Sequence, residues 1–124
     1  MCILVVEDDP TLGALITKQL SKLGYLTDLV TSASDALSKF KAKSYDLILM
    51  DVALPEGNGL ELTEQIRQVA PHGKEVKIVG VTAGHATKNE CLRAGMNDYY
   101  QKPFLTDDVK TVMDKFNPGT CETC

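Results

Sequence analysis

Four short apolar runs in this chain each end in residues able to do chemistry. Ile3 to Val6 leads into Glu7, Asp8 and Asp9, and Leu47 to Met50 leads into Asp51. Val76 to Val81 leads into Thr82, and the Asp98 to Gln101 stretch leads into Lys102. If the runs are parallel strands of one sheet, the residues after their carboxyl ends converge on a single edge. Acids, a hydroxyl and an ammonium group would meet there, the makings of a metal and phosphoryl site. Clustered carboxylates repel one another unless a cation neutralises them. Glu7, Asp8 and Asp51 offer hard oxygen ligands that suit Mg²⁺, which takes one or two carboxylates and leaves positions open for phosphate. Asp9 is set aside as a helix cap.

In that setting Lys102 supplies a point charge for a phosphoryl oxygen, and the Thr82 hydroxyl can hydrogen-bond another. Ala83 and Gly84 keep the mouth open. An aspartate on the strand edge can then act as a carboxylate nucleophile and carry an acyl phosphate, so Asp51 is the candidate nucleophile. A tight turn aiming Lys102 back into the site would use a cis Lys102–Pro103 bond. Taken singly, each acid reads as a cap or solvated loop residue, Lys102 as a surface lysine and Thr82 as a cap. Their joint placement at strand ends sets them apart.

The elements needed to hold these residues follow from periodicity. Asp9 caps a helix with Pro10 at its first position, carrying Leu12, Leu15, Ile16, Leu20 and Leu23 at helical spacing up to Gly24. Tyr25 to Val30 reads as a strand, and Ser32 or Ser34 caps a helix bearing Ala36, Leu37 and Phe40. Asp46 to Met50 is the third strand. A turn-rich stretch from Pro55 to Gly59 precedes a helix with Leu60, Leu62, Ile66 and Val69, ended by Pro71. Val76 to Val81 is the fourth strand, Thr87 to Ala94 a short helix closed by Gly95, and Asn97 to Gln101 the fifth strand. Thr106 caps a last helix with Val109, Val112, Met113 and Phe116.

Strands one, three and four are apolar on both faces, whereas the second carries Thr27 and Asp28 and belongs at an edge. Right-handed crossovers then give an α/β fold: a five-stranded parallel sheet of order 2-1-3-4-5, doubly wound as a (βα)5 three-layer sandwich. Glu7 and Asp51 become neighbours at its switch point.

The totals agree. A chain of 124 residues makes one domain, burying roughly two-thirds of its unfolded surface. With 44% hydrophobic and 24% charged residues it has the balance of a globular protein, and no apolar run approaches the ~18 residues of a membrane span. The first strand leaves no room for a signal peptide, so a cytoplasmic product is expected. A net charge of −4 argues against direct nucleic acid binding. Cys121 and Cys124 form a terminal pair that would need two more ligands to bind zinc, and His72 and His85 lie far off. They follow Asn117, Pro118 and Gly119 rather than opening a helix after a strand, as a redox pair would.

The chain resembles the response-regulator receiver domain of two-component signalling over nearly its whole length. The resemblance rests on Val5-Val6-Glu7-Asp8-Asp9, on Leu49-Met50-Asp51-Val52 with Leu54-Pro55 and Gly59, on Val81-Thr82-Ala83, and on Asp98-Tyr99-Tyr100-Gln101-Lys102-Pro103-Phe104. It implies that Asp51 is phosphorylated, with Lys102 and Thr82 assisting. Asp8 would bind Mg²⁺ directly, Glu7 through water, and the Ala53 backbone carbonyl would complete the protein ligands. Thr82 and Tyr99 would be the switch pair, a phosphoryl group drawing the Thr82 hydroxyl inward and opening space for the Tyr99 ring. Tyr100 should point to the opposite face of its strand.

The implied partners are a histidine kinase or a histidine phosphotransfer protein, the chain acting as a monomer or weak dimer. Residues 1–118 would be the receiver domain and 119–124 a short tail, disordered or introduced in cloning. Lys22-Leu23-Gly24-Tyr25 and the stretch from Cys91 to Tyr99 look most like receivers of hybrid sensor histidine kinases, a free-standing response regulator being the alternative. From Thr82 to Gly95 the chain is about two residues shorter than is common in the family, implying an abbreviated loop and fourth helix. The small Ala53 and Gly84 imply ready access of water to a phosphoryl group, hence no unusually slow dephosphorylation. A Mg²⁺-dependent phosphatase with an aspartate nucleophile would need a second aspartate two residues on, where Ala53 stands. A flavodoxin-type FMN site would be repelled by Glu7-Asp8-Asp9, and a GTPase would need a P-loop.

Overall fold

The computed structural model describes residues 2–43, 45–54, 57–69, 76–82, 88–101 and 106–116. The strands are β1 (Cys2–Val6), β2 (Leu26–Val30), β3 (Leu47–Asp51), β4 (Ala53–Leu54), β5 (Gly57–Asn58), β6 (Lys77–Thr82) and β7 (Asp98–Gln101). The helices are α1 (Pro10–Lys22), α2 (Ala33–Ala42), α3 (Gly59–Arg67), α4 (Lys88–Ala94) and α5 (Thr106–Phe116). Five parallel strands form the main sheet in the order β2-β1-β3-β6-β7, the expected 2-1-3-4-5 winding.

β1 and β3 are buried along their whole length, whereas β2 is buried only at Val30, as its edge position requires. Each sheet face has its own apolar cluster. Leu4, Val6, Ile48 and Met50 pack with Phe40, Leu62 and Ile66 from α2 and α3, and Ile3, Val5, Leu49 and Val79 pack with Ile16, Leu20, Val109 and Val112 from α1 and α5. Alternation along each strand produces this division.

The termini of the elements differ from expectation by a residue or two, for reasons visible in their hydrogen bonds. Tyr25 donates its N–H to the Leu20 carbonyl, which joins it to the closing turn of α1 rather than to β2. Asp46 takes the Cys2 N–H on its side chain at 3.0 Å and caps the entry to β3, which in turn runs on to include Asp51. Likewise β6 runs from Lys77 to Thr82. Gln68 and Val69 donate to Gln65 and Ile66 carbonyls in a tightened turn that ends α3 at Arg67. Thr106 begins α5 itself. The turn-rich stretch expected over Pro55 to Gly59 is flanked by an antiparallel ribbon, β4–β5, pairing Ala53 with Asn58 and Leu54 with Gly57. Of the two candidate caps of α2, Ser32 serves, its Oγ accepting the Asp35 N–H at 3.2 Å.

Candidate functional site

Register places the acids. Val6 pairs with Met50, so the residues that follow, Glu7 and Asp51, stand side by side where β1 and β3 end. Asp51 also pairs with Val81, and the Val52 N–H donates to the Val81 carbonyl at 3.0 Å, tying the carboxyl end of β3 to β6. Glu7 donates its N–H to the Val30 carbonyl at 3.0 Å and accepts the Asp9 N–H on Oε2 at 3.1 Å. Asp9 faces away as a cap, Oδ1 accepting from Thr11 and Leu12 at 3.0 and 3.4 Å.

Carboxylate oxygens of Glu7, Asp8 and Asp51 all lie within 4.8 Å of one another. Glu7 and Asp51 are each only 2% exposed, and Asp8 is exposed. At a separation of that size, two ionised carboxylates repel by about 3 kcal/mol at an effective dielectric of about 20. Three hard oxygen donors, two of them shielded from water, fit a small divalent cation that offsets this repulsion.

The loop leaving Asp51 is held close. The Gly59 N–H donates to the Val52 carbonyl at 2.7 Å, and a Cβ at Gly59 would sit 2.8 Å from the Asp51 carbonyl oxygen and 2.9 Å from Val52 Cα. Only glycine allows α3 to start this near the strand end. Ala53 lies two residues past Asp51 and opens the small ribbon.

Thr82 closes β6 and pairs with Gln101 of β7. Its side chain lies outside the described residues, as do Ala83, Gly84, Lys102, Pro103 and the Cys121–Cys124 tail. Tyr99 and Tyr100 do face opposite sides of β7: Tyr99 is half-buried against the α2/α3 cluster, and Tyr100 against the α1/α5 cluster. Burial, with Asp98 nearby, pushes the Tyr100 hydroxyl above its ordinary value. At the start of β7, Asp98 accepts from Lys115 Nζ of α5 at 2.6 Å.

Two features escaped the reading of the sequence. Arg67 looked like an ordinary cation in the last turn of a helix, yet its guanidinium bonds to the carbonyls of Gly95 and Val76. Met96 gave no signal at all, yet its sulfur occupies the space a side chain at Gly80 would fill.

Comparison with known proteins agrees with this geometry. The family model of the response regulator receiver domain matches residues 3–114. Hybrid signal transduction histidine kinase B of Dictyostelium discoideum is 38% identical over 125 residues, covering 91% of this chain and 6% of that protein. Two-component response regulator 24 of Arabidopsis thaliana is 36% identical over 117 residues, covering 92% of this chain and 82% of that protein. The sensor histidine kinase RcsC of Escherichia coli is 36% identical, the match spanning 12% of its length.

Among solved structures, the receiver domain of a sensor histidine kinase from Pseudomonas aeruginosa, with magnesium coordinated in its active-site cleft, superposes with a TM-score of 0.84 at 36% identity. That match covers 93% of this chain and 95% of that one. The chain thus spans a small part of the hybrid and sensor kinases it matches and most of the plant regulator. A match that extends from β1 into α5 and takes in the strand ends carrying Glu7 and Asp51 leaves a single assignment: the chain belongs to the response regulator receiver domain family of two-component systems.

Proposed function

We propose that this chain accepts a phosphoryl group on Asp51, from a phosphohistidine of a histidine kinase or histidine phosphotransfer protein, and thereby changes the surface it offers a partner. The observation that carries this reading is the convergence of Glu7, Asp8 and Asp51 oxygens within 4.8 Å at neighbouring strand ends. An Asp51 carboxylate oxygen attacks phosphorus in line, the P–N bond breaks, and the bonding pair stays on the imidazole nitrogen. Glu7, Asp8, Asp51 and the backbone carbonyl of Ala53 would hold Mg²⁺. When bound, Mg²⁺ supplies neutralisation of the phosphoryl oxygens and of the acidic cluster.

By their places in the motifs, Lys102 pairs with one phosphoryl oxygen and the Thr82 hydroxyl donates to another. Movement of Thr82 makes room for the Tyr99 ring, whose half-buried position against the core supports a role in relaying the change. The small Ala53 and Gly84 leave water free to hydrolyse the acyl phosphate, so its lifetime should not extend to many hours. Similarity to the hybrid kinases supports this chain being one segment of such a protein, acting in the cytoplasm. The 82% coverage of the Arabidopsis regulator supports a free-standing regulator instead, and the flanking gene sequence decides.

Intact mass after treatment with acetyl phosphate and Mg²⁺ tests the assignment. Wild type should gain one phosphoryl group and Asp51→Asn none. Equal labelling of both proteins would overturn it, and turnover of p-nitrophenyl phosphate without a stable adduct would favour a phosphatase.

A further inference from the structure

Arg67, the last residue of α3, gathers polar groups from two other segments. Its Nε and Nη2 donate to the Gly95 carbonyl at 2.9 and 2.6 Å, and Nη1 donates to the Val76 carbonyl at 2.5 Å. Nη2 also donates to Asn97 Oδ1 at 2.8 Å. Asn97 is itself fastened to β6, its N–H donating to the Ile78 carbonyl at 2.7 Å and its Oδ1 accepting the Ile78 N–H at 2.8 Å. Between them the Met96 sulfur fills the space over Gly80. Gly95 has φ +114°, and a Cβ there would sit 3.1 Å from Arg67 Cγ, so the junction is shaped around the arginine stem.

The other end of α3 is equally confined, because Gly59 is pressed on the backbone of Asp51 and Val52. One helix of nine residues, about 13 Å long, therefore joins the candidate phosphoacceptor strand to the junction between α4 and β7. A cationic donor to neutral carbonyls makes stronger bonds than a neutral one, and lysine lacks the planar fork to serve several acceptors. α4 has only seven residues; among those whose side chains are described, Asn89 and Glu90 are exposed and the buried ones, Cys91 and Ala94, fall from the midpoint onward. A helix fixed at one end and packed along that half tilts rather than slides.

We propose that Arg67 is a positioning residue that makes the α4–β7 junction a fixed pivot, so that α4 answers events at the Asp51 edge by swinging its amino-terminal end about Gly95. The trigger rests on the reading of Asp51 as phosphoacceptor, whereas the clamp stands without it.

Amide exchange followed by NMR tests both parts. In the unmodified protein, Arg67→Lys should speed exchange at Gly95, Met96 and Asn97 at least tenfold while β1 and β3 amides keep their rates. Asn97→Ala, a milder lesion, should do so to a smaller degree. Unchanged exchange at the junction in both variants, or a uniform rise over the whole domain, would overturn the clamp. With beryllium fluoride and Mg²⁺ as the phosphoryl mimic, wild type should change at Asn89 and Glu90 with Gly95 to Asn97 unaffected, and Arg67→Lys should spread the change to the junction. Equal change at both ends of α4 in wild type would overturn the pivot. If the mimic leaves the amides around Asp51 unaltered, the phosphoacceptor reading fails, and the clamp is still judged by the variants without it.

Discussion

The Gly59 N–H donates to the Val52 carbonyl at 2.7 Å, and this bond brings the first turn of α3 against the backbone of Asp51. The atoms that a Cβ at Gly59 would strike, the Asp51 carbonyl oxygen at 2.8 Å and Val52 Cα at 2.9 Å, are backbone and cannot swing aside. Gly59→Ala should therefore cost about 2 to 3 kcal/mol in urea unfolding, at the upper end of ordinary overpacking. It should also slow labelling of Asp51 by acetyl phosphate, because relief of the clash displaces the carboxylate from Glu7 and Asp8. A variant with wild-type stability and wild-type labelling would show that the loop adapts freely.

Gly80 gives the opposite expectation from a closer contact. A Cβ there would fall 2.5 Å from Met96 Sδ, but that atom belongs to a flexible thioether able to repack. Gly80→Ala should cost less than about 1.5 kcal/mol. Met96→Ala alone leaves a cavity and should cost about 2 to 4 kcal/mol. Adding Gly80→Ala to Met96→Ala should recover part of that loss, and a double-mutant cycle with no coupling would contradict the packing described.

The acidic cluster predicts a reversal of sign. In EDTA, Asp8→Asn removes one of three mutually repelling carboxylates and should raise the melting temperature. In Mg²⁺ at ten times its dissociation constant, wild type should gain about 1.4 kcal/mol by mass action. The variant, lacking a ligand, should gain less, so the order of the two melting curves inverts. Thermal melts with and without Mg²⁺ check this; a variant that is destabilised in EDTA, or that keeps the full response to Mg²⁺, would count against the cluster as a cation site.

Much of this was legible in the chain because single residues specified it. Asp9 followed by Pro10 announced the start of α1, and the apolar runs ending at Glu7 and Asp51 announced buried parallel strands whose ends meet. Thr27 and Asp28 marked β2 as the edge. The ribbon β4–β5 was not legible, since two pairs of residues carry no period. Arg67 was hidden for a different reason: three of its bonds go to the backbone carbonyls of Gly95 and Val76, which leave no side-chain signature, and its one side-chain acceptor, Asn97, lies thirty residues away. Met96, in the connection between α4 and β7, was hidden because its role depends on a glycine of β6, distant in sequence.

At the edge strand, Tyr45 donates its hydroxyl to Asp28 Oδ2 at 2.5 Å, and Lys43 Nζ approaches the same oxygen at 3.2 Å. The Tyr45 hydrogen bond, more than Lys43, holds the Asp28 carboxyl below its ordinary value of 3.8. Burial and the bond to Asp28 push the Tyr45 hydroxyl above its ordinary value of 10. A depressed acid stabilises the fold fully above its unfolded value and loses that contribution as pH falls through the folded one. A raised phenol contributes fully below pH 10 and loses its contribution as pH climbs from there toward its folded value. Tyr45→Phe keeps the buried ring against Phe40, so at pH 7 it should cost only the charged hydrogen bond, about 1 kcal/mol after allowing for the exposure of Asp28. The gap between wild type and variant should narrow below pH 3.8, where Asp28 begins to protonate, and again above pH 10, where the phenol of unfolded wild type ionises. Urea midpoints at acid, neutral and alkaline pH measure it, and a gap independent of pH would show that the hydroxyl contributes nothing through Asp28.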